Sequence, residues 1–361
     1  MQRLASLLSL GLVACSAPAL VIVEGRDSAV DVHTVNIDAS LPEDRVSVDA
    51  RAEREQPQEA PRRPTPSCPD PSERGCQRMV ITGGTMTLGT DLGAAAGPAQ
   101  GPITVSPFVI DAAEATVARL QRFLDAWRAE ALPEQWQVAY PNGATVTVRL
   151  SELPRADFQS NFALCNRDLA SAPAQREHPA NCLNWYVAMA FCAWDGGRVP
   201  TEAEYEWVAR WWLSDTSSGR RYPWGDDPPV GRCDLAHWMD RLAGGICPGA
   251  DGRGSRRVMS LSLGQTFGVF DLAGNASEWL ADTFLEYRGT DAPNACWGLG
   301  AQRDPLCHLS APALRVIRGG SGATVPLDPD RLLTVSRRGA MPDLIDIRNG
   351  VRCVRALDPA P

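Results

Sequence analysis

The chain has 361 residues, 44% of them hydrophobic, and a formal net charge of −8 at pH 7. This length and composition are sufficient for one large buried core or two small ones. The basic residues are all arginine and are scattered through an acidic chain. Nucleic-acid binding, which needs a concentrated basic surface, is therefore not expected.

The first fifteen residues predict an export signal. Arg3 precedes a mostly apolar run at positions 4–13, which is too short to span a bilayer as a helix. The run continues into Leu12-Val-Ala-Cys15, which resembles a bacterial lipobox, where a cysteine is lipidated and becomes the mature N-terminus. We therefore predict that residues 1–15 form a lipoprotein signal peptide and that Cys15 carries the lipid.

This prediction has an alternative and a consequence for localisation. The alternative is an ordinary secretory signal with an incidental cysteine. If Cys15 is lipidated, the exported protein is held at the cell envelope by its lipid anchor and does not span the membrane. Ser16 at the next position favours the outer membrane if the host is Gram-negative.

Three further segments complete the predicted organisation. Residues 16–67 are rich in Pro, Ala and charged residues of both signs, which predicts a flexible linker. Residues 68–356 form the predicted folded domain, and 357–361 form a short tail. The domain opens with β-favouring residues at 79–89, and a second strand is predicted at 107–111.

Helices are predicted from capping residues and apolar spacing. Thr116 is a candidate N-cap for the first helix and Asn184 for the second. At the start of the third helix, Thr201 and Glu204 have the spacing of a capping box, in which each side chain bonds the other residue's backbone amide.

Two other carboxylates of the third helix could be mistaken for a catalytic pair. They are Glu202 and Glu206. We expect both to be solvated on the helix surface. From residue 219 onward Gly, Pro, Asp and Arg dominate, and only short elements are expected.

Ten cysteines follow Cys15, and an even number in an exported chain predicts a disulfide framework. Sequence alone does not fix how they pair. Four pairs of sequence neighbours are attractive because each would close a short loop, which stabilises by roughly 3 kcal/mol in the chain-entropy model. These pairs are Cys68–Cys76, Cys165–Cys182, Cys233–Cys247 and Cys296–Cys307. Cys192 and Cys353 are left over.

Five motifs occur in order through the second half of the chain. They are Gly-Arg-Val-Pro-Thr-Glu-Ala-Glu-Tyr-Glu-Trp at 197–207, Tyr-Pro-Trp-Gly at 222–225, Gly-Val-Phe-Asp-Leu-Ala-Gly-Asn-Ala-Ser-Glu-Trp at 268–279, Arg-Val-Ile-Arg-Gly-Gly-Ser at 315–321 and Asn-Gly-Val-Arg-Cys at 349–353. Together they resemble the formylglycine-generating enzyme (sulfatase-modifying factor) family, over roughly residues 79–356.

The resemblance implies an α+β fold that is rich in loops and of the C-type-lectin-like kind. It also implies a disulfide between Cys192 and Cys353, because the family joins a core helix to its last strand in this way. Relative to the family pattern, residues 128–180 and 285–312 look like insertions, each with one candidate local disulfide.

Catalytic members of this family oxidise a cysteine in a Cys-x-Pro-x-Arg substrate with a copper ion held by two thiolates. Copper(I) is a soft ion that selects sulfur ligands. In this chain the two ligand positions hold Thr324 and Pro329, and residues 320–352 contain no cysteine. Copper is therefore not expected, and the resemblance implies a domain without this oxidase chemistry.

Calcium is a candidate cofactor by the same resemblance. Ca²⁺ binds six to eight oxygens from carboxylates and backbone carbonyls. The implied first site uses the side chains of Asp271 and Glu278 and the carbonyls of Gly274 and Ala276. The implied second site uses Asp234 and the Leu235 carbonyl, with a loop near Asp251. The alternative for the first site is a turn whose carboxylates cap backbone amides.

The family's fold also implies a groove near residues 321–338. Ser321, Arg331, Arg337 and Arg338 are candidate lining residues that could accept acidic groups, although arginines more often pair with Asp and Glu for structural reasons. The leading hypothesis is a non-catalytic surface lipoprotein that binds an unidentified ligand or partner in the envelope. The alternatives are an enzyme of the sulfatase-modifying type, by oxidation or other chemistry in this groove, and a purely structural envelope protein. The sequence leaves the oligomeric state open.

Overall fold

The computed structural model describes twelve stretches of the chain. They are residues 57–61, 63–90, 100–154, 165–166, 175–214, 218–240, 245–247, 255–287, 296–297, 300–309, 313–322 and 329–357. Cys15, Thr324 and the loop near Asp251 lie outside these stretches, and so do their predicted roles. Within the stretches, no helix has the length and apolar character needed to cross a membrane.

The predicted helix starts are confirmed. The helices are α1 (Val117–Arg128), α2 (Trp185–Trp194) and α3 (Glu202–Glu206). Thr116 accepts a hydrogen bond from the Arg119 amide at 3.3 Å and caps α1. Asn184 caps α2 in the same way, by accepting from the Val187 amide at 2.9 Å.

The capping box of α3 is also present. The Thr201 hydroxyl accepts from the Glu204 amide at 3.2 Å, and the Glu204 carboxylate accepts from the Thr201 amide at 2.9 Å. The helix ends sooner than its apolar pattern suggests, since the backbone changes to a π-helical turn over Trp207–Trp211. Short 3₁₀ helices lie at Leu150–Glu152 and Pro329–Leu332.

The strands are short, as expected for a loop-rich domain. In chain order they are β1 (Gln58–Glu59), β2 (Arg78–Ile81), β3 (Gly84–Leu88), β4 (Gln100–Val105), β5 (Phe108–Asp111), β6 (Gln135–Ala139), β7 (Thr145–Arg149), β8 (Met239–Asp240), β9 (Gly245–Ile246), β10 (Ser277–Thr283), β11 (Gln302–Arg303), β12 (Arg315–Arg318), β13 (Arg337–Ala340), β14 (Asn349–Gly350) and β15 (Val354–Ala356).

One four-stranded sheet joins the start of the domain to its end. Its order is β1-β2-β5-β15, and all neighbours are antiparallel. Ile110 in β5 lies opposite Met79 in β2 and Val354 in β15. Smaller sheets are formed by β11-β4-β3, by β6-β7 and by β8-β9.

The second four-stranded sheet carries most of the residues that line the groove described below. Its order is β13-β12-β10-β14, with β12 antiparallel to β10 and β13, and β14 parallel to β10. Ile317 of β12 lies opposite Trp279 of β10 and Arg338 of β13. This register brings the Arg-rich ends of β12 and β13 next to each other.

Helix α2 lies inside the main hydrophobic core and is buried on almost every side. Phe191 packs edge-on against Phe123 of α1, with ring centroids 6.0 Å apart, and Trp279 of β10 belongs to the same cluster. Full burial of side chains of this size stabilises by roughly 1.5–3 kcal/mol each. The core thus holds α1, α2 and the groove-bearing sheet in fixed positions.

Five disulfides pair all ten cysteines of the domain. Four are the short-loop pairs Cys68–Cys76, Cys165–Cys182, Cys233–Cys247 and Cys296–Cys307. The fifth is Cys192–Cys353, with a sequence separation of 161 residues, and it joins α2 to the segment before β15. The pairing is the one that loop length and the family resemblance predict.

One expectation from the sequence was wrong, and two features of the fold were not predicted. Glu202 and Glu206 are fully buried and not solvated, because arginines from distant parts of the chain neutralise them. The insertion at 128–180 contains the hairpin of β6 and β7, which was not predicted from the sequence. The folded part also begins before Cys68: β1 pairs with β2, and Ser67 is buried and donates its amide proton to Asp195.

Candidate functional site

A groove of about 190 Å³ opens over the sheet of β10, β12 and β13. Its described lining comes from these strands, from the turn that follows β12, from the 3₁₀ helix Pro329–Leu332 and from the residues just before β13 and β14. The lining residues are Ser277, Ile317, Arg318, Gly319, Gly320, Arg331, Ser336, Arg337, Arg338 and Arg348. Three of the four predicted groove residues are among them, whereas Ser321 is buried and does not line the groove.

The turn after β12 needs glycine for two reasons. Gly319 has a φ of +90°, a left-handed conformation that other residues adopt at a cost. A Cβ atom at Gly319 would also lie 2.7 Å from the Tyr205 hydroxyl oxygen and 3.0 Å from the Leu272 carbonyl oxygen. The Gly-Gly-Ser motif therefore serves close packing below the groove.

The floor of the groove is a buried ion-pair network. Arg318 donates to Glu202 Oε1 at 3.0 Å and to Glu206 Oε2 at 2.8 Å. Arg337 donates to both oxygens of Glu202, at 2.8 and 2.7 Å. The charges of these two arginines are thus compensated from below.

Charge compensation sets the pKa of the carboxyl groups in this floor. Burial alone would raise the pKa of Glu202, but Arg337 and Arg318 outweigh it and hold the pKa below its usual value. Asp282, which accepts from the Glu202 amide at 2.7 Å, behaves oppositely. Its burial, reinforced by the charge of Glu202, raises its pKa to about 7.

At the rim of the groove, the positive charges of the arginines are less fully neutralised than in the floor. Arg348 is paired with the Asp346 carboxylate. Arg338 is half-buried, and its guanidinium donates to the neutral side-chain oxygen of Asn349 at 3.1 Å. Burial, followed by repulsion from Arg348, lowers the pKa of Arg338, and Arg331 adds to this repulsion. The rim therefore carries more positive than negative charge.

The predicted first calcium site folds as a tight turn, but its glutamate is engaged elsewhere. Both oxygens of Glu278 accept from Arg352, each at 2.7 Å, in a fully buried pair. Asp271 accepts from the Met259 amide at 2.8 Å. A cation at Glu278 would compete with the guanidinium, so this part of the donor set does not fit calcium.

A different carboxyl group faces Asp271. Glu114, just before α1, is fully buried, and its Oε1 accepts from the Ala276 amide at 3.2 Å. Burial and the charge of Asp271 raise the pKa of Glu114 well above its usual value, and burial raises that of Asp271. In the described residues, no group of three or more His, Cys, Asp or Glu side chains is arranged to hold a metal. Calcium at this turn stays a prediction.

The predicted second calcium site is on the surface. Asp234 is exposed, and both of its oxygens accept from Arg232, with the shortest distance 2.8 Å. Leu235 is buried beside it. The structure therefore shows Asp234 in an exposed ion pair, and a calcium role for it stays a prediction as well.

The comparisons with known proteins agree with this architecture. The profile of the sulfatase-modifying factor enzyme 1-like domain matches residues 65–357, most of the chain. The chain belongs to this family.

Relatives in the sulfatase-modifying factor family include proteins named as formylglycine-generating enzymes and proteins named as inactive. The formylglycine-generating enzyme of Streptomyces coelicolor is 32% identical over 50% of this chain, and the match spans about half (54%) of that enzyme. The inactive C-alpha-formylglycine-generating enzyme 2 of Bos taurus is 26% identical over 76% of this chain and 86% of its own. The solved structure of PvdO from Pseudomonas aeruginosa shares the fold, with a TM-score of 0.51, 21% identity and coverage of 78% of this chain and 94% of its own.

The copper site of catalytic family members has no counterpart in the residues that the structure describes. Pro329 opens a 3₁₀ helix and has no side-chain ligand atom. Each of the ten cysteines from Cys68 onward is in a disulfide, so none of them offers a thiolate. The groove can offer guanidinium and hydroxyl donors, which are groups that bind and orient a ligand.

Sequence reasoning missed two residues of this region. Arg348 reaches the groove rim although it lies ten positions beyond the predicted groove residues. Glu114 meets the turn at Ala276 from 162 residues away. For Glu114, the only local signal was a carboxylate placed two residues before the α1 cap within an otherwise apolar stretch.

Proposed function

We propose that this protein is a non-catalytic member of the sulfatase-modifying factor family whose groove binds a ligand or partner at the cell envelope. The observation that supports this proposal is the chemistry of the groove. Its described lining consists of arginine, serine, glycine and isoleucine, without a carboxylate, imidazole or thiol to act as base, acid or metal ligand. Such a lining supports binding and supplies no partner that would activate a serine.

The disulfides add a second argument. Cysteine oxidation by this family's route needs two thiolates on copper, and the domain's cysteines are all cross-linked. The inactive relative from Bos taurus supports the proposal that a family member can keep the fold without the activity.

A direct assay tests the absence of the oxidase. The full-length protein is incubated with copper and a peptide that contains Cys-x-Pro-x-Arg, with the Streptomyces coelicolor enzyme as the positive control. Mass spectrometry is expected to find no formylglycine product with this protein. Turnover above the copper-only background would contradict the proposal.

The envelope location is proposed from the lipobox. We expect Cys15 to be lipidated and Cys15→Ser to move the protein from the membrane fraction to the soluble fraction. A matched control is Ser16→Ala, which leaves the cysteine in place. Unchanged fractionation of Cys15→Ser, or a wild type that is already soluble, would rule out the anchor.

A further inference from the structure

The groove rim holds positive charge that the described residues do not balance. Of the five arginines that line the groove, Arg318 and Arg337 are neutralised by buried glutamates, and Arg348 is paired with Asp346. Arg331 is exposed and has no ion pair with any residue of the described stretches. Arg338 donates to the neutral side-chain oxygen of Asn349, and the Asp346 carboxylate that attracts it is already paired with Arg348. Two guanidinium charges therefore face the same opening.

The position of Arg338 makes this imbalance costly. It lies on β13, half-buried, where repulsion from Arg348 and Arg331 is opposed by attraction from Asp346 alone among the described residues. A guanidinium stays protonated at any physiological pH, so it cannot relieve the repulsion by losing its proton. Binding of an anion would lower this electrostatic energy further than Asp346 does.

The groove also has the donors that an oxyanion needs. Guanidinium groups donate paired hydrogen bonds whose geometry matches carboxylate and phosphate oxygens. Ser277 and Ser336 add hydroxyl groups to the lining. A cavity of about 190 Å³ has room for one compact group and not for an extended chain.

We propose that this groove binds a compact, doubly charged oxyanion of the phosphate type, held by Arg331 and Arg338. Two uncompensated positive charges favour a dianion over a monoanion, because a monoanion would leave one charge unbalanced. The inference rests on the proposal that the groove binds a ligand, and it assigns the chemical class of that ligand. The oxyanion could be a free ion or a monoester on a larger molecule, and both present the same group.

Thermal unfolding of the full-length protein tests this assignment. The probes are inorganic phosphate, glycerol phosphate and acetate, each against sodium chloride at equal ionic strength at pH 8. Phosphate is expected to raise the melting temperature in a saturable way and acetate to do so only weakly, since ligands stabilise the state that binds them. Glycerol phosphate binding as well as phosphate would indicate a monoester as the source, and binding of phosphate alone would indicate the free ion.

Variants distinguish the groove from a general salt effect. Arg338→Gln and Arg331→Gln should each weaken the apparent phosphate affinity by about tenfold or more. Arg128→Gln is the matched control, since Arg128 is an exposed arginine of α1 outside the groove, and it should bind phosphate like the wild type. Arg331 is exposed, so its replacement keeps the test valid even if Arg338→Gln fails to fold.

The assignment is overturned if phosphate acts like chloride at equal ionic strength, or if Arg331→Gln and Arg128→Gln respond alike. Neither result affects the proposal that the protein is non-catalytic, because that proposal depends on the formylglycine assay. Formylglycine turnover with intact phosphate binding would instead overturn the proposed function and leave the oxyanion site standing.

Discussion

At the scale of single residues, the floor of the groove depends on how buried carboxyl groups are neutralised. Glu202 is bonded to two arginines and has a lowered pKa. Asp282, fully buried beside it, is bonded to no arginine of the described stretches and has a pKa of about 7. Asp282 accepts from the backbone amides of Glu202 and Cys307 instead. Its protonation state is therefore linked to folding near neutral pH.

The pKa of Asp282 predicts a pH dependence of stability. Its folded-state pKa of about 7 exceeds the usual Asp pKa of about 3.9, so the folded state holds a proton that the unfolded state releases. The stabilisation from this group is complete below about pH 4 and is lost as the pH rises through about 7, by up to ~1.4 kcal/mol per pH unit. Urea unfolding of the wild type and of Asp282→Asn at pH 5, 6 and 7 measures how the free energy of unfolding changes with pH.

Asp282→Asn should show a shallower fall in the free energy of unfolding over this range, even if it is less stable at every pH. Glu130→Gln, at an exposed position after α1, serves as the control and should keep the slope of the wild type. Equal slopes in all three proteins would show that Asp282 does not titrate in this range.

At the scale of elements, helix α1 carries two arginines in opposite environments. Arg119 is fully buried and donates to Asp111 and Asp195, both at 2.9 Å. Arg128, in the last turn, pairs with Asp125 in solvent at 3.0 Å. The distances are similar, but Arg119 is buried and bridges two carboxylates, whereas Arg128 is exposed and has one.

Replacement of each arginine by methionine should therefore give very different results. Arg119→Met is expected to destabilise by about 3 kcal/mol, because it leaves buried carboxylates with fewer partners. Arg128→Met should change stability by less than about 1 kcal/mol, since exposed pairs contribute little. Urea unfolding monitored by tryptophan fluorescence measures both changes in the free energy of unfolding. Similar losses of stability in the two variants would contradict the buried network.

The elements also show what the sequence could predict. Helix starts at Thr116, Asn184 and Thr201 were predicted because capping is a local interaction within three residues. The burial of Glu206 was not, because its partner Arg318 lies 112 residues away. The hairpin of β6 and β7 was missed even though both strands alternate and an Asn-Gly turn lies between them, a signal that could have found it.

In the candidate site, too, some residues could be predicted from the sequence and some contacts could not. The three groove arginines could be located by the family resemblance, which places the groove near residues 321–338. The pairing of Glu278 with Arg352 could not, because it depends on the parallel contact of β10 with β14. A ligand set inferred from a motif therefore says little about which oxygens the fold leaves available.

At the scale of the whole molecule, one covalent bond closes most of the domain. Cys192–Cys353 spans 161 residues, whereas Cys68–Cys76 spans eight. In the chain-entropy model the longer loop stabilises by about 5 kcal/mol and the shorter by about 2.5 kcal/mol. The long-range bond alone is comparable to the net stability of many domains.

Removal of the two bonds in turn tests this difference. The double variant Cys192→Ala with Cys353→Ala should lose about twice as much stability as Cys68→Ala with Cys76→Ala, measured as free energies of unfolding. Both sulfur pairs are buried, so the loss of packing is matched. Equal losses would show that the entropy of the long loop is not what this bond restricts.

The central claim is that the domain keeps the family's fold but offers no thiolate on which copper chemistry could run. The most direct measurement is alkylation of the unfolded, unreduced protein, followed by mass spectrometry of its cysteine peptides. The ten cysteines from Cys68 to Cys353 are expected to carry no label before reduction and to be fully labelled after it. Two cysteines that are labelled without reduction would contradict the claim, because they would provide the pair of thiolates that copper requires.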